Sequence, residues 1–293
     1  MLIELKSKSV TAVVDTVGAQ LMSVKDAAGT EYMWQRDAKY WAKTSPFLFP
    51  IVGNLRGNKT LIDGKEYQMS KHGFCREAEF TVEAQDEASV KLSYCFNENT
   101  LKQYPYEFKV SLTFTATETG VTTRYDIANL GDGNMLYCFG GHPGFNTPVD
   151  TEGGVEDCVV EFPYAETASA LCYDLDALEF DKAARKPMLD NQNKWEPKYS
   201  DFDNDAVVFD TLKSKSVKLY NKKTGRGVEV AFPGFDFIAF WTPIKMGAPF
   251  MCIEPWCGMA DCKDEDMNFA SKYGVKSVEG NKADTYELII NLL

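Results

Sequence analysis

Phe108-Lys109-Val110-Ser111-Leu112-Thr113-Phe114-Thr115-Ala116-Thr117-Glu118-Thr119-Gly120-Val121-Thr122-Thr123-Arg124-Tyr125-Asp126-Ile127 is the stretch that decides the fold. Phe108, Val110, Leu112 and Phe114 alternate with Lys109, Ser111 and Thr113, the period of two that marks a half-buried strand. Glu118-Thr119-Gly120 reads as a turn, and Thr122 to Ile127 as a second strand. Outward from this pair the same reading recurs. Val90 to Tyr94 is a strand, and Tyr286 to Leu292 closes the chain with a strand-like apolar run. Val217 to Tyr220 and Val228 to Phe232 flank a loop containing Gly225, a hairpin. Helical stretches are few and short, Glu98 to Gln103 and Asp264 to Lys272. Asp181 to Tyr199 is polar and irregular and reads as a loop. Many short strands joined by polar turns predict an all-β sandwich with large sheets. No Pro/Ser-rich or low-complexity linker divides the chain, so residues 1–293 are expected to form a single domain.

Composition narrows the function classes. Apolar residues make up 44% of the chain and aromatics 13%, enough for a core that needs neither disulfides nor metal. The net charge of −12 argues against nucleic acid or an anionic membrane surface as partner. It also weighs against a highly anionic substrate, unless a local Arg/Lys pocket overrides the mean. The N-terminus lacks a basic region followed by an apolar run, and no apolar stretch approaches the ~18 residues of a membrane span. Eight cysteines are scattered; Cys252, Cys257 and Cys262 do not match paired zinc spacing. A cytoplasmic protein with reduced thiols is expected, with Cys257 as a packing residue.

Two histidines, His72 and His142, both sit at glycine-bounded turns. Histidine exchanges protons near neutral pH, although a His between Gly and Phe also serves as a buried structural residue. Four segments join glycines and aromatics to titratable groups: Ser45 to Gly57, Lys71 to Arg76, Gly140 to Asn146 and Cys252 to Asp261. Glu254, between Ile253 and Pro255-Trp256, lies in an apolar run that raises a carboxylate's pKa toward the range of an acid–base catalyst. Trp256 offers a flat face for the C–H side of a sugar ring. No G-x-S-x-G elbow, P-loop or Rossmann glycine pattern occurs. A metal centre of two His and one carboxylate, Glu254 or Asp261, stays open on the residues alone.

Taken together these segments resemble the aldose 1-epimerase (galactose mutarotase-like) family, in a bacterial branch with Gly-Gly-His-Pro and Glu-Pro-Trp motifs. The resemblance runs nearly end to end. It joins Gly18 to Ser23, Gly29 to Gln35, Phe49-Pro50-Ile51-Val52-Gly53, His72-Gly73-Phe74, Gly141-His142-Pro143 and Cys252 to Trp256, in order. It implies a β-supersandwich of large, curved antiparallel sheets with an open groove. It implies exchange of the α and β anomers of a free aldohexose, without cofactor or metal. The family's two active-site histidines match His72 and His142, its catalytic glutamate matches Glu254, and Asp205 is the looser match to a sugar-binding aspartate. The family often carries an arginine just after the Phe-Pro-x-Val-Gly run. Here Asn54 stands at that position, and Arg56, two residues on, is expected to compensate if the segment is a strand.

The expected chemistry follows. Glu254 takes the C1 hydroxyl proton, His142 gives one to the ring oxygen, and His72 positions the ring. Asp205, Arg56, Asn54, Trp256 and Phe145 are the expected substrate-binding residues, with Phe74 and Phe145 also suited to the core. Three other functions compete: a hexose-phosphate mutarotase drawing on Arg56 and Arg76, a non-catalytic carbohydrate-binding or regulatory protein, and a two-His metal enzyme. The expected partner is a small-molecule sugar, and the expected state is monomer or homodimer.

Overall fold

The computed structural model describes all residues 1–293. Strands hold 51% of them and helices 7%, so the molecule is all-β. The opening stretch behaves as its alternation requires. Phe108–Ala116 pairs antiparallel with Ser89–Cys95 on one side and with Gly120–Asn129 on the other, setting Leu112 opposite Tyr125. Phe108, Val110, Leu112 and Phe114 are all buried.

From this pair one 15-stranded sheet continues. Gly120–Asn129 pairs with Ala283–Leu292, which pairs with Gly227–Ala231, and that strand with Ser216–Asn221. The order then runs through Cys158–Asp174, Val207–Phe209, Phe237–Trp241, Phe250–Cys257, Phe139–Gly141 and Phe47–Leu48. Leu2–Lys6, Val10–Asp15 and Gln20–Asp26 form a separate three-stranded sheet. Seventy-two buried residues from Ile3 to Ile290 make one contiguous apolar cluster. A second, small cluster of Trp34, Ala248, Phe250 and Cys252, flanked by Trp41 and Trp241, underlies the site described below.

Two expectations are corrected. Asp181 to Tyr199 is not a loop: Glu179–Trp195 is a 17-residue strand paired with Cys158–Asp174. The pairing shifts register at four places, and each bulge resets the alternation, which hid the strand in the sequence. Asp264 to Lys272 is not an α-helix; it holds a single 3₁₀ turn, Phe269–Ser271. Asp266 Oδ1 accepts from the Asn268 N–H, and Asn268 Oδ1 from the Ala270 N–H, so side chains capture donors that a helix would use. The expected helix at Glu98 is real: Glu98–Leu101, capped by the Asn97 side chain.

Candidate active site

Backbone geometry at two glycines positions His142 and His72. A Cβ on Gly140 would collide with Trp256 and with the Pro255 carbonyl, so only glycine lets this strand lie against Phe250–Cys257. Pro143 O then accepts from the Ile253 N–H at 3.1 Å. That register brings His142 beside Glu254, with His142 Nε2 3.2 Å from Glu254 Oε1. A Cβ on Gly73, at φ 72°, would collide with the Phe49 carbonyl, which locks the His72 turn onto the Phe49–Gly53 segment. There the His72 N–H donates to Gly53 O at 2.9 Å, and the Gly53 N–H donates to His72 Nδ1 at 3.0 Å. Nδ1 is therefore an acceptor, and a neutral His72 carries its proton on Nε2.

The two histidine rings meet edge to face at 5.8 Å. Trp41 stacks on His142 at 4.8 Å and 28°, and Trp241 meets the same ring edge-on at 5.6 Å. Asp205 Oδ1 accepts from the Trp241 indole N–H at 2.8 Å. Both His72 and Asp205 hold left-handed backbone conformations, φ 67° and 71°. Such conformations carry a strain cost for non-glycine residues and cluster at functional sites.

Burial dominates the electrostatics. It pushes the Glu254 carboxyl well above the ordinary carboxylate range, and the nearby Asp205 charge pushes it further. It pushes His142 down to about 3, and His72 also well below the usual imidazole value. Desolvation opposes an ion pair between Glu254 and His142. Burial thus favours the neutral form of each group.

These groups open onto a cavity of about 220 Å³. Of the expected residues, His72, His142, Glu254, Asp205, Asn54 and Trp256 line it; two others do not. Phe145 is corrected to a core residue, fully buried on Gly144–Asn146, because strand alternation turns its ring into the apolar cluster. Arg56 is corrected as well. The chain leaves Gly53 at φ 69° and enters a 3₁₀ turn, Arg56–Asn58, so the two-residue strand spacing never applies. Glu179 holds the Arg56 guanidinium, which also donates to the carbonyls of Glu265 at 3.1 Å and Cys262 at 3.3 Å. Asn54 donates instead to the Tyr173 hydroxyl at 3.1 Å.

Sequence reasoning missed Trp41, Lys43, Tyr173, Phe180 and Trp241, all of which line the cavity. Trp41 carried a signal, an aromatic pair with Tyr40 between Lys39 and Lys43 in an otherwise polar stretch. Tyr173 and Phe180 come from the irregular hairpin and carried none. The two-His metal centre that the residues alone left open does not assemble. His72 Nδ1 is taken by Gly53, and Asp261 is held by Lys272 and by the Arg56 N–H. The potential ligand atoms that do converge, within 4.8 Å of one another, belong to His142, Cys252 and Glu254. Cys257 lies fully buried, its thiol pushed up to about 12 by burial, as a packing residue.

Comparison with known proteins bears on the family and the fold. The family model for aldose 1-epimerase matches residues 1–267. Plasmid-encoded protein LacX of Lactococcus lactis subsp. lactis is 36% identical over 271 residues, which cover 90% of each chain. A galactose mutarotase related enzyme from Lactobacillus acidophilus superposes with a TM-score of 0.93 at 28% identity, covering 100% of this chain and 97% of that one. A galactose mutarotase-like protein from Lactobacillus casei ATCC 334 shares the fold, with a TM-score of 0.93 at 23% identity and full coverage of both chains.

Proposed function

Because the chain belongs to the aldose 1-epimerase family of isomerases, we propose that it interconverts the α and β anomers of an aldohexose by acid–base opening and closure of the ring. The observation that carries this reading is the buried His142–Glu254 pair, 3.2 Å apart, in a cavity walled by Trp41, Trp241 and Trp256. Residues 1–293 are proposed as one catalytic domain, since a single apolar cluster draws on strands from both ends of the chain.

In the proposed cycle the pair enters with one proton, and sugar binding moves it from Glu254 to His142. A C1 hydroxyl donating to the Glu254 carboxylate replaces part of the lost hydration, and the Trp41 face stabilises the imidazolium. Glu254 takes the C1 hydroxyl proton while His142 gives its proton to the ring oxygen. The C1–O5 bond breaks, leaving an aldehyde and a C5 hydroxyl, and the pair again holds one proton. Rotation about C1–C2 presents the other carbonyl face, and the reverse transfers close the ring. His72, with its proton on Nε2, is a fixed donor for a sugar oxygen. Asp205 and the Trp256 face complete the sugar contacts, and Asn54 acts through Tyr173.

Polarimetry on freshly dissolved α-glucose and α-galactose tests the assignment. His142→Gln and Glu254→Gln, each checked for native circular dichroism, are expected to lose about 10²–10⁴-fold in kcat/KM, the usual worth of a positioned acid or base. Near-wild-type acceleration by either variant removes that residue from its role.

A further inference from the structure

The cavity has a charge asymmetry that exchange of a neutral sugar does not use. Three cations line it, Lys43, Lys71 and Arg76, against two acids, Asp205 and Glu254. Burial favours the protonated form of Glu254, and Asp205 accepts from the Trp241 indole N–H. The chain as a whole carries −12, so this concentration of positive charge runs against its average.

How the arginines are used sharpens the point. Arg56, Arg124, Arg185 and Arg226 each hold a carboxylate, and Arg36 lies exposed outside the cavity. Arg76 is different. Its Nε–H is buried without a hydrogen bond, and the nearest carboxylate, Glu77, stands 3.6 Å away. Glu77 is largely exposed and already pairs with Lys43 at 2.7 Å. Lys71 is exposed at the rim and pairs with no carboxylate. A buried donor without a partner is costly unless a ligand supplies the acceptor.

Position along the sugar follows from connectivity. Lys71 and Arg76 bracket His72, whose ring lies 5.8 Å from that of His142. In the proposed cycle His142 meets the ring oxygen. The ring oxygen is bonded to C5, and C5 carries C6, so a substituent on C6 lies on the histidine side of the cavity.

We infer that the site takes an aldohexose bearing an anion on C6, a phosphate or a carboxylate, held by Lys71 and Arg76. This rests on the anomer-exchange reading of the same cavity and replaces the uncharged sugar expected from the sequence.

The test compares α-glucose, α-glucose 6-phosphate and α-glucuronate by NMR anomer exchange, each corrected for its uncatalysed rate. Wild-type protein is expected to favour at least one anion over glucose by about tenfold or more in kcat/KM. The larger of the two anion advantages identifies phosphate or carboxylate as the group recognised. Lys71→Met combined with Arg76→Met is expected to reduce that preference ratio at least tenfold, and Lys71→Met with Arg76→Lys to restore part of it. Rising salt is expected to shrink the wild-type ratio, a measurement that depends on no variant folding. Equal or better turnover of glucose overturns the inference, as does a ratio that survives loss of both cations. If none of the sugars exchanges faster than in water, the mutarotase reading fails. Calorimetric affinities for the same three sugars then decide the anion preference separately, and equal affinities overturn it.

Discussion

The two walls of the cavity are built by opposite means. One is Phe139–Gly141 and Gly144–Asn146 packed on Phe250–Cys257, where every residue of the last strand is buried and glycines fix the approach. The other is the hairpin of Cys158–Asp174 and Glu179–Trp195, polar, bulged and largely exposed on its second strand. The first wall supplies His142, Glu254 and Trp256; the second supplies Tyr173 and Phe180 and, through Glu179, draws Arg56 away. The difference teaches a division of labour. Rigid, desolvated packing is what shifts proton affinities, and a shallow polar hairpin is what shapes the rest of the cavity.

The sharpest way to break this comparison is a double-mutant cycle on the buried wall. In the proposed cycle His142 and Glu254 share one proton, so removing either disables the pair. The double variant His142→Gln/Glu254→Gln is expected to lose about as much kcat/KM as the worse single variant, within roughly threefold, out of a total loss near 10²–10⁴. Additive losses in the logarithm, measured by polarimetry, would mean the two side chains act on independent steps.

The same contrast explains what was legible in the sequence. Phe108 to Ile127 could be read because period-two burial on an unbulged strand writes itself directly into residue order. His72, His142 and Glu254 could be found because glycines and prolines beside them mark forced backbone geometry. Arg56 and Phe145 were misplaced for a tertiary reason. The strand stops at Leu48 and the chain turns at Gly53 with a positive φ, so the strand on which the Arg56 argument depended is absent, and Glu179, 123 residues later, captured its guanidinium. Tyr173 was invisible because its neighbour Asn54 lies 119 residues away across a bulged hairpin, and no local pattern encodes that meeting.

A smaller effect tests the hairpin wall. Tyr173→Phe removes the acceptor of the Asn54 side-chain N–H and leaves that largely buried donor unpaired. The loss bears on how the sugar is held, not on proton transfer, so KM is expected to rise by up to about tenfold, in keeping with the ~1–3 kcal/mol cost of an unpaired buried group. kcat is expected to stay within about twofold. Steady-state kinetics separates the two, and a hundredfold fall in kcat would place the hairpin in the chemistry.

The smallest expected effect concerns stability, and it has a sign that only the buried wall can give. The Glu254 carboxyl has a folded-state pKa raised well above its ordinary value of 4.5 by burial and by Asp205. The folded state therefore binds the Glu254 proton more tightly than the unfolded chain does. Below pH 4.5 both states hold it and no cost arises. As pH climbs from 4.5 toward the raised value, the unfolded state ionises first and stability falls. Glu254→Gln keeps the shape and removes this penalty, so the variant is expected to melt higher than wild type at pH 7, by a few degrees for about 1 kcal/mol, and to lose that advantage at pH 4. The two buried histidines act in the other direction. Their folded pKa values are lowered, so stability is full above pH 6.5 and is lost as the unfolded chain takes up protons below it, down to about 3 for His142. Melting curves of wild type and Glu254→Gln at pH 7 and pH 4 distinguish the contributions. Equal melting temperatures for the two proteins at pH 7 would mean that this wall does not hold its carboxyl against ionisation, and the acid–base asymmetry between the walls would have to be given up.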